Sequence, residues 1–196
     1  MRYSRIAKNA KLGDGCIAKS CRNANLMFMS TDIKLLHLKR SMCLDEGLVI
    51  GDMGTQKSGY GGKKTIYKFG SRVNERITDV YNASITDLIQ TLDREDLFLW
   101  YMDDGSWHKT RNTMHLYSNM LNDEETEVLI DCIGSLYGIL PRKRIDRKKD
   151  GRAFNYLYFP RALVKEFRPE FKEYAMSHEL DTMYYKFGGL DYKEAV

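Results

Sequence analysis

The sequence predicts an α+β fold of two pseudo-symmetric repeats, each running helix, two strands, helix, two strands, helix. Two coincidences of spacing and one of composition predict it. Leu12-Gly13-Asp14-Gly15 is answered by Met102-Asp103-Asp104-Gly105, an offset of 90 positions from Asp14 to Asp104. The same offset of 90 carries Tyr67-Lys68-Phe69 onto Leu157-Tyr158-Phe159, each after a glycine-containing basic turn. With 43% hydrophobic residues, 30% charged and only 3 prolines, the chain has the composition of a folded protein and no disordered tract.

Each repeat opens on a helix ending at its Asp-Gly pair, because glycine is the usual residue with which a chain leaves a helix. In the second repeat this helix is Arg94 to Met102. Alternating polar and apolar stretches then read as hairpins: Cys16 to Ser20 with Leu26 to Ser30, and Trp107 to Thr110 with Thr113 to Ser118. A second helix follows in each. Asp32 to Leu44 starts at a capping residue (Thr31 or Asp32), and Asn122 to Tyr137 carries acids in its first turn; Gly47 and Gly138 close them. Second hairpins span Gly51 to Phe69 and Arg142 to Phe159, the latter turning at Asp150-Gly151. Closing helices are Val73 to Tyr81 and Arg161 to Phe171. The repeats therefore occupy residues 1–81 and 94–196, joined by an ordered linker at 82–93 that lacks glycine and proline. Each set of four strands forms an antiparallel sheet with one face on helices and the other available to a partner.

Charge directs the search for that partner. A net charge of +4 is modest, but residues 142–152 hold seven basic side chains against two acidic ones. The four cysteines have no zinc-type spacing, which argues against structural zinc. No apolar signal core opens the chain and no stretch reaches the roughly 20 apolar residues of a membrane span, so an intracellular chain with reduced thiols, cytoplasmic or organellar, is expected.

A carboxylate at a helix C-terminus faces the negative end of the dipole, a position that a cation relieves. If two such helices pack side by side, Asp14, Asp104 and the last free carbonyls form an oxygen-rich cluster suited to Mg²⁺ or Mn²⁺, the chemistry for polarising a phosphate and activating water. Either Asp-Gly alone is a common turn; their recurrence in matching contexts is what gives them weight.

Leu97-Phe98-Leu99-Trp100-Tyr101-Met102-Asp103-Asp104-Gly105-Ser106 resembles the second signature helix of single-chain LAGLIDADG homing endonucleases, and Leu12-Gly13-Asp14-Gly15-Cys16-Ile17 the end of the first. Met183-Tyr184-Tyr185-Lys186 resembles the family segment bearing an active-site lysine. The resemblance covers the chain to about Phe187. It implies a monomer with internal pseudo-twofold symmetry, signature helices at a central interface, and sheets forming a saddle on double-stranded DNA that is cut in both strands. It also implies catalytic Asp14, Asp104 and Lys186, with metal held by Asp14, Asp104 and the backbone oxygens of Gly13 and Asp103.

Two departures stand out. Ala7-Lys8-Asn9-Ala10-Lys11 is polar where the family is apolar, so atypical packing of the first helix is expected. Residues 80–93 contain no lysine or arginine where a first-repeat basic residue would fall, leaving Arg94 as the nearest candidate and three outcomes open: slower cutting of one strand, nicking, or another residue in its place.

For the DNA face the hairpins offer Lys19, Arg22, Asn23, Asn25, Gln56, Lys57, Ser58, Tyr60, Lys63 and Lys64 in the first repeat. In the second they offer Trp107, His108, Lys109, Arg111, Asn112, Arg142, Arg144, Arg147, Lys148, Lys149 and Arg152. Lys148 and Lys149, beside the turn, suit phosphates better than bases. Phe98, Trp100 and Tyr101 read as core, Tyr184 and Tyr185 as packing near the central helices, and His37 and His178 as ordinary helix histidines. Residues 59–64 lack the spacing of a phosphate-cradling loop. The competing functions are a non-cleaving binder on the same fold, either an intron RNA maturase or a DNA-binding regulator, and an unrelated metal hydrolase or small α/β protein in which the duplication is coincidence.

Overall fold

The computed structural model describes residues 3–20, 22–57, 64–147, 151 and 153–188. They form two compact units, Met1–Thr91 and Leu92–Val196. None of the described helices is long and apolar enough to cross a membrane.

In the first unit the order is α1 (Arg5–Leu12), β1 (Gly15–Ser20), β2 (Asn23–Ser30), α2 (Ile33–Asp45), β3 (Gly54–Lys57), β4 (Thr65–Gly70), α3 (Glu75–Asn82) and α4 (Ile85–Gln90). Side-chain caps start every helix: Ser4 accepts from the Ala7 amide, Asp32 from Leu35, Asn74 from Arg76 and Ser84 from Asp87. The strands pair antiparallel in the order β1-β2-β4-β3. Along β2, Ala24, Leu26 and Phe28 are buried and alternate with less buried Asn23, Asn25, Met27 and Met29, the period of two that turns one face to the helices. Phe28 meets Phe69 across the sheet at 5.7 Å. On the helix side, the buried ammonium of Lys39 lies 4.7 Å from the centre of the Phe28 ring, a cation–π contact.

The polar first helix packs in an unusual way. Lys8 and Asn9 are each only 4% exposed, among Ile6, Ala7, Ala10 and Leu12. Lys8 Nζ donates to the carbonyl of Thr91 at 3.1 Å, just past α4. Lys11 Nζ donates to three carbonyls at the end of α3: Val80 at 2.9 Å, Tyr81 at 3.0 Å and Ala83 at 2.7 Å. A helix leaves its last carbonyls unbonded and negative, so these ammonium groups satisfy two C-termini at once. All three donors of Lys11 are used in this way. Lys11→Met should therefore destabilise the protein by roughly 2 kcal/mol, since it removes a charged donor from carbonyls it satisfies. The check is a urea titration, in which the midpoint falls and the slope stays constant.

The second unit repeats the order with α5 (Arg94–Asp104), β5 (Gly105–His108), β6 (Thr113–Tyr117), α6 (Asp123–Tyr137), β7 (Arg142–Arg147), β8 (Ala153–Phe159), α7 (Arg161–Ser177) and a 3₁₀ helix, Asp181–Phe187. Its strand order, β5-β6-β8-β7, matches that of the first unit. Capping boxes start α5 (Asp93 with Asp96) and α6 (Asn122 with Glu125), and Gly138, at φ +69, ends α6 in the left-handed region. Leu97 through Met102 are all buried, as expected for a helix that is apolar on every side.

Several boundaries differ from expectation. Helix α1 stops at Leu12, before Asp14, whereas α5 runs through Asp104 rather than stopping at Met102. Helix α7 passes through Pro169 and ends at Ser177, not Phe171. Phe167, Phe171 and Ala175 are each fully buried, and that burial offsets the hydrogen bond that proline removes. Part of the stretch 82–93 is helix α4. The turn at Asp150 lies outside the described residues.

Candidate functional site

The end of α5 is held in place by the 3₁₀ helix. Lys186 Nζ donates to the carbonyls of Asp103 at 3.0 Å and Gly105 at 2.7 Å, and its side chain is buried. Its own carbonyl lies 3.0 Å from the Tyr101 hydroxyl, which is 2.8 Å from the Ser106 carbonyl. Burial raises the pKa of that hydroxyl well above 10, so it stays protonated as a donor. Arg168 Nε holds the next carbonyl, that of Phe187, at 2.8 Å. The backbone of the lysine is thus held at its own carbonyl and at the next.

Asp104 is oriented by the indole of Trp100, whose Nε1 donates to Oδ2 at 3.1 Å. This is an i to i+4 contact on the face of one helix. Asp103, Asp104, Gly105 and Lys186 line a cleft of about 430 Å³ together with Tyr117, Asn119 and Phe154. The cation at the helix end is therefore, in part, the ammonium of Lys186. The Asp103 backbone oxygen, expected as a metal ligand, accepts from that ammonium with one of its two lone pairs.

In the first unit, Asp14 is exposed and follows Gly13, the cap of α1, whose amide bonds to Asn9. Arg94, the candidate for a missing basic residue, is committed elsewhere. It pairs with Glu170 at 2.6 Å, donates to the Leu136 carbonyl at 2.8 Å and lies over the Tyr137 ring. It also begins α5, about 15 Å of helix from Asp104.

The described residues contain no group of three or more His, Cys, Asp or Glu that could enclose a metal. One or two carboxylates still fit Mg²⁺, which keeps water ligands and shares coordination with substrate phosphates.

Strand register decides which face each expected DNA contact occupies. Asn23, Asn25 and Gln56 lie on the face of the first sheet turned away from the helices, with Cys16, Met27, Met29 and Lys68. There Lys68 Nζ donates to Gln56 at 3.0 Å. Lys19 pairs with buried Ala24 and approaches the Tyr81 ring of α3, so it belongs to the helix side, as does Lys57, paired with Thr65. Arg22 and Lys64 are exposed beside strands.

The second sheet sorts the same way. His108, Arg142 and Arg144 share the far face with His115, Tyr117, Tyr156 and Tyr158. Trp107 pairs with buried Met114 and is covered by the Arg168 guanidinium at 5.0 Å, so it faces the helices rather than a partner. Arg147, paired with Ala153, has the same helix-side parity. Lys109, Arg111 and Asn112 are exposed in the β5–β6 turn. Lys63, Lys148, Lys149 and Arg152, with Ser58 and Tyr60, lie outside the described residues.

Sequence reasoning missed an aromatic floor on this face. The His115 ring lies tilted 4.6 Å from Tyr156 and 5.8 Å from Tyr158, and Tyr117 lies 5.9 Å from Tyr156. Burial, then nearby His108 and Arg111, lowers the His115 pKa below 6.5 and favours the neutral ring. The signal was present in the alternation Met114-His115-Leu116-Tyr117, read only for its apolar half. Tyr117 and Phe154 belong both to this face and to the Asp104 cleft, so the two are continuous. As expected, Phe98, Trp100 and Tyr101 are core, but Tyr185 is 64% exposed because the tight 3₁₀ turn points it outward.

Residues 12–167 match the sequence profile of the LAGLIDADG DNA endonuclease family. The chain belongs to this family. No curated protein matches it significantly. Among solved structures, the LAGLIDADG chain is similar to the homing endonuclease I-WcaI bound to its DNA recognition sequence (20% identity, TM-score 0.70, covering 96% of this chain and 88% of that one). The N-terminal LAGLIDADG domain of DUF199/WhiA is similar at 12% identity and TM-score 0.54, with 84% and 78% covered. I-DmoI in complex with DNA and Mn is similar at 13% identity and TM-score 0.53, with 83% and 93% covered. At these identities the likeness establishes the fold: two α+β repeats with four-stranded antiparallel sheets.

Proposed function

We propose that this LAGLIDADG chain is a site-specific homing endonuclease that hydrolyses phosphodiester bonds of double-stranded DNA with Mg²⁺ or Mn²⁺. The observation that carries the proposal is the continuity of the Asp104–Lys186 cleft with the far face of the second sheet. Duplex DNA lying on Arg142, Arg144 and the aromatic floor would bring a backbone phosphate to the carboxylate and the buried ammonium together. Arginines at strand positions offer paired donors to guanine edges, while the tyrosines supply apolar surface and hydroxyl donors.

Within the cleft, Asp104 would hold the divalent ion, oriented by Trp100, and Lys186 would place positive charge beside the scissile phosphate. The bound ion supplies Lewis-acid polarisation of the phosphate and a lowered pKa for attacking water. Asp14 is assigned the corresponding carboxylate for the first unit. With no lysine or arginine at 80–93, and Lys11 and Arg94 engaged elsewhere, a slower cut in one strand is part of the proposal.

Incubating the protein with a randomised duplex library, with and without Mg²⁺, tests this reading. Cut products enriched for one sequence only in the presence of metal are expected, with nicked duplex preceding linear product. Retention of duplex without any cutting in Mg²⁺ or Mn²⁺ would replace the nuclease by the binder reading.

A further inference from the structure

A second cleft in unit 2, about 480 Å³, lies where the β5–β6 turn meets α7. Its lining is Asn112, Arg161, Val164, Lys165, Arg168 and Pro169: three cations and no acid. Arg161, Lys165 and Arg168 are spaced i, i+4 and i+7, which puts them on one face of α7. Arg168 is immobilised by its bond to the Phe187 carbonyl at 2.8 Å and by stacking over Trp107. Glu170, an acid on the same helix, is drawn away by Arg94 at 2.6 Å. Arg161 and Lys165 are exposed, and neither enters an ion pair among the described residues.

Three like charges around one concavity repel each other unless an anion enters it. The anion is identified by what adjoins the cleft. Asn112 belongs to the turn that also exposes Lys109 and Arg111, and the turn follows directly on His108 of the far sheet face. Positive charge therefore runs from that face around the hairpin end to α7. We propose that the α7 cleft binds backbone phosphates of the duplex held on the far face of the second sheet, with Arg161 and Lys165 making the contacts and Arg168 fixed about one turn further along the helix. The inference rests on the reading that this face binds duplex DNA. It adds an anchoring site that contributes affinity and salt dependence but no base preference.

The test uses the full chain and a duplex recovered from the library, with binding followed by fluorescence anisotropy across a salt series. In Arg161→Gln/Lys165→Gln the slope of log Kd against log salt should fall by about 2, close to 0.9 per lost phosphate contact. The order of preference among variant duplexes should stay unchanged, and so should the thermal melt, both side chains being exposed. A single-stranded RNA of equal length is the second probe. A slope equal to wild type overturns the inference, as does a loss confined to the RNA, which would make the cleft an RNA site. Absence of duplex binding by the wild-type chain removes the parent reading and this one together. Normal wild-type binding with an indifferent double variant removes this one alone.

Discussion

Asp104→Asn should leave duplex affinity intact and slow metal-dependent cutting about 1,000-fold, equivalent to about 4 kcal/mol of transition-state stabilisation and in the range a Lewis-acid metal contributes. The substitution nearly preserves shape. A carboxamide oxygen still accepts from Trp100 Nε1, at 3.1 Å from Asp104 Oδ2 in the native protein, so the side chain keeps its orientation on α5. Lys186 keeps its two carbonyl partners, because these are backbone atoms of Asp103 and Gly105. What disappears is one negative charge in a cleft that must attract a divalent ion. Binding should hold or tighten, since the phosphate then meets the lysine without an adjacent carboxylate. Initial rates of strand scission at saturating protein check the prediction. Cutting at the wild-type rate would mean that Asp104 is only the end of a helix.

Gly105→Ala should cost about 3 kcal/mol of stability, the upper end of overpacking effects. A Cβ there would lie 2.3 Å from the Tyr101 carbonyl oxygen and 2.5 Å from the Tyr101 ring, which is fully buried. Neither neighbour is the free end of a flexible side chain. Gly15, at the matching position of the first unit, is equally confined: its Cβ would meet Ala10 Cα at 2.4 Å. The strand leaving each signature helix thus folds back against that helix, and only glycine permits it. Gly138→Ala is the control, with φ +69 but nothing within 4 Å of the added carbon, so only the roughly 1 kcal/mol of a left-handed alanine is lost. Urea melts of the two variants should rank them; a Gly105→Ala midpoint at or above that of Gly138→Ala would contradict the packing argument.

The local chemistry of the chain was legible in advance wherever it depends on neighbours in sequence. Asp32, Asn122 and the acids after Asn122 marked helix starts because capping is a contact over three residues. Gly47 and Gly138 marked ends because they take up positive φ, and the Asp104-Gly105 pair marked the cleft. Face assignment was harder. In polar strands such as Lys57 in β3 or Arg147 in β7, alternation says that neighbours point oppositely but does not say which parity meets the core. Lys19 and Trp107 were misplaced on the partner side for the same reason.

The sequence by itself determined the helix, two strands, helix, two strands, helix order of each repeat, the twofold repetition and the aspartates that end each signature segment, because all of these follow from short-range periodicity and a fixed offset. Tertiary structure alone decided that Lys186 would reach carbonyls 81 and 83 positions away, that Lys11 would cap a helix 69 to 72 positions on, and that Arg94 would be consumed by Glu170. The physical reason is that a long basic side chain has the same propensity on any helix. Its role is set by which unbonded carbonyl or carboxylate the folded chain brings within 3 Å, and that depends on contacts between segments whose separation no local pattern records.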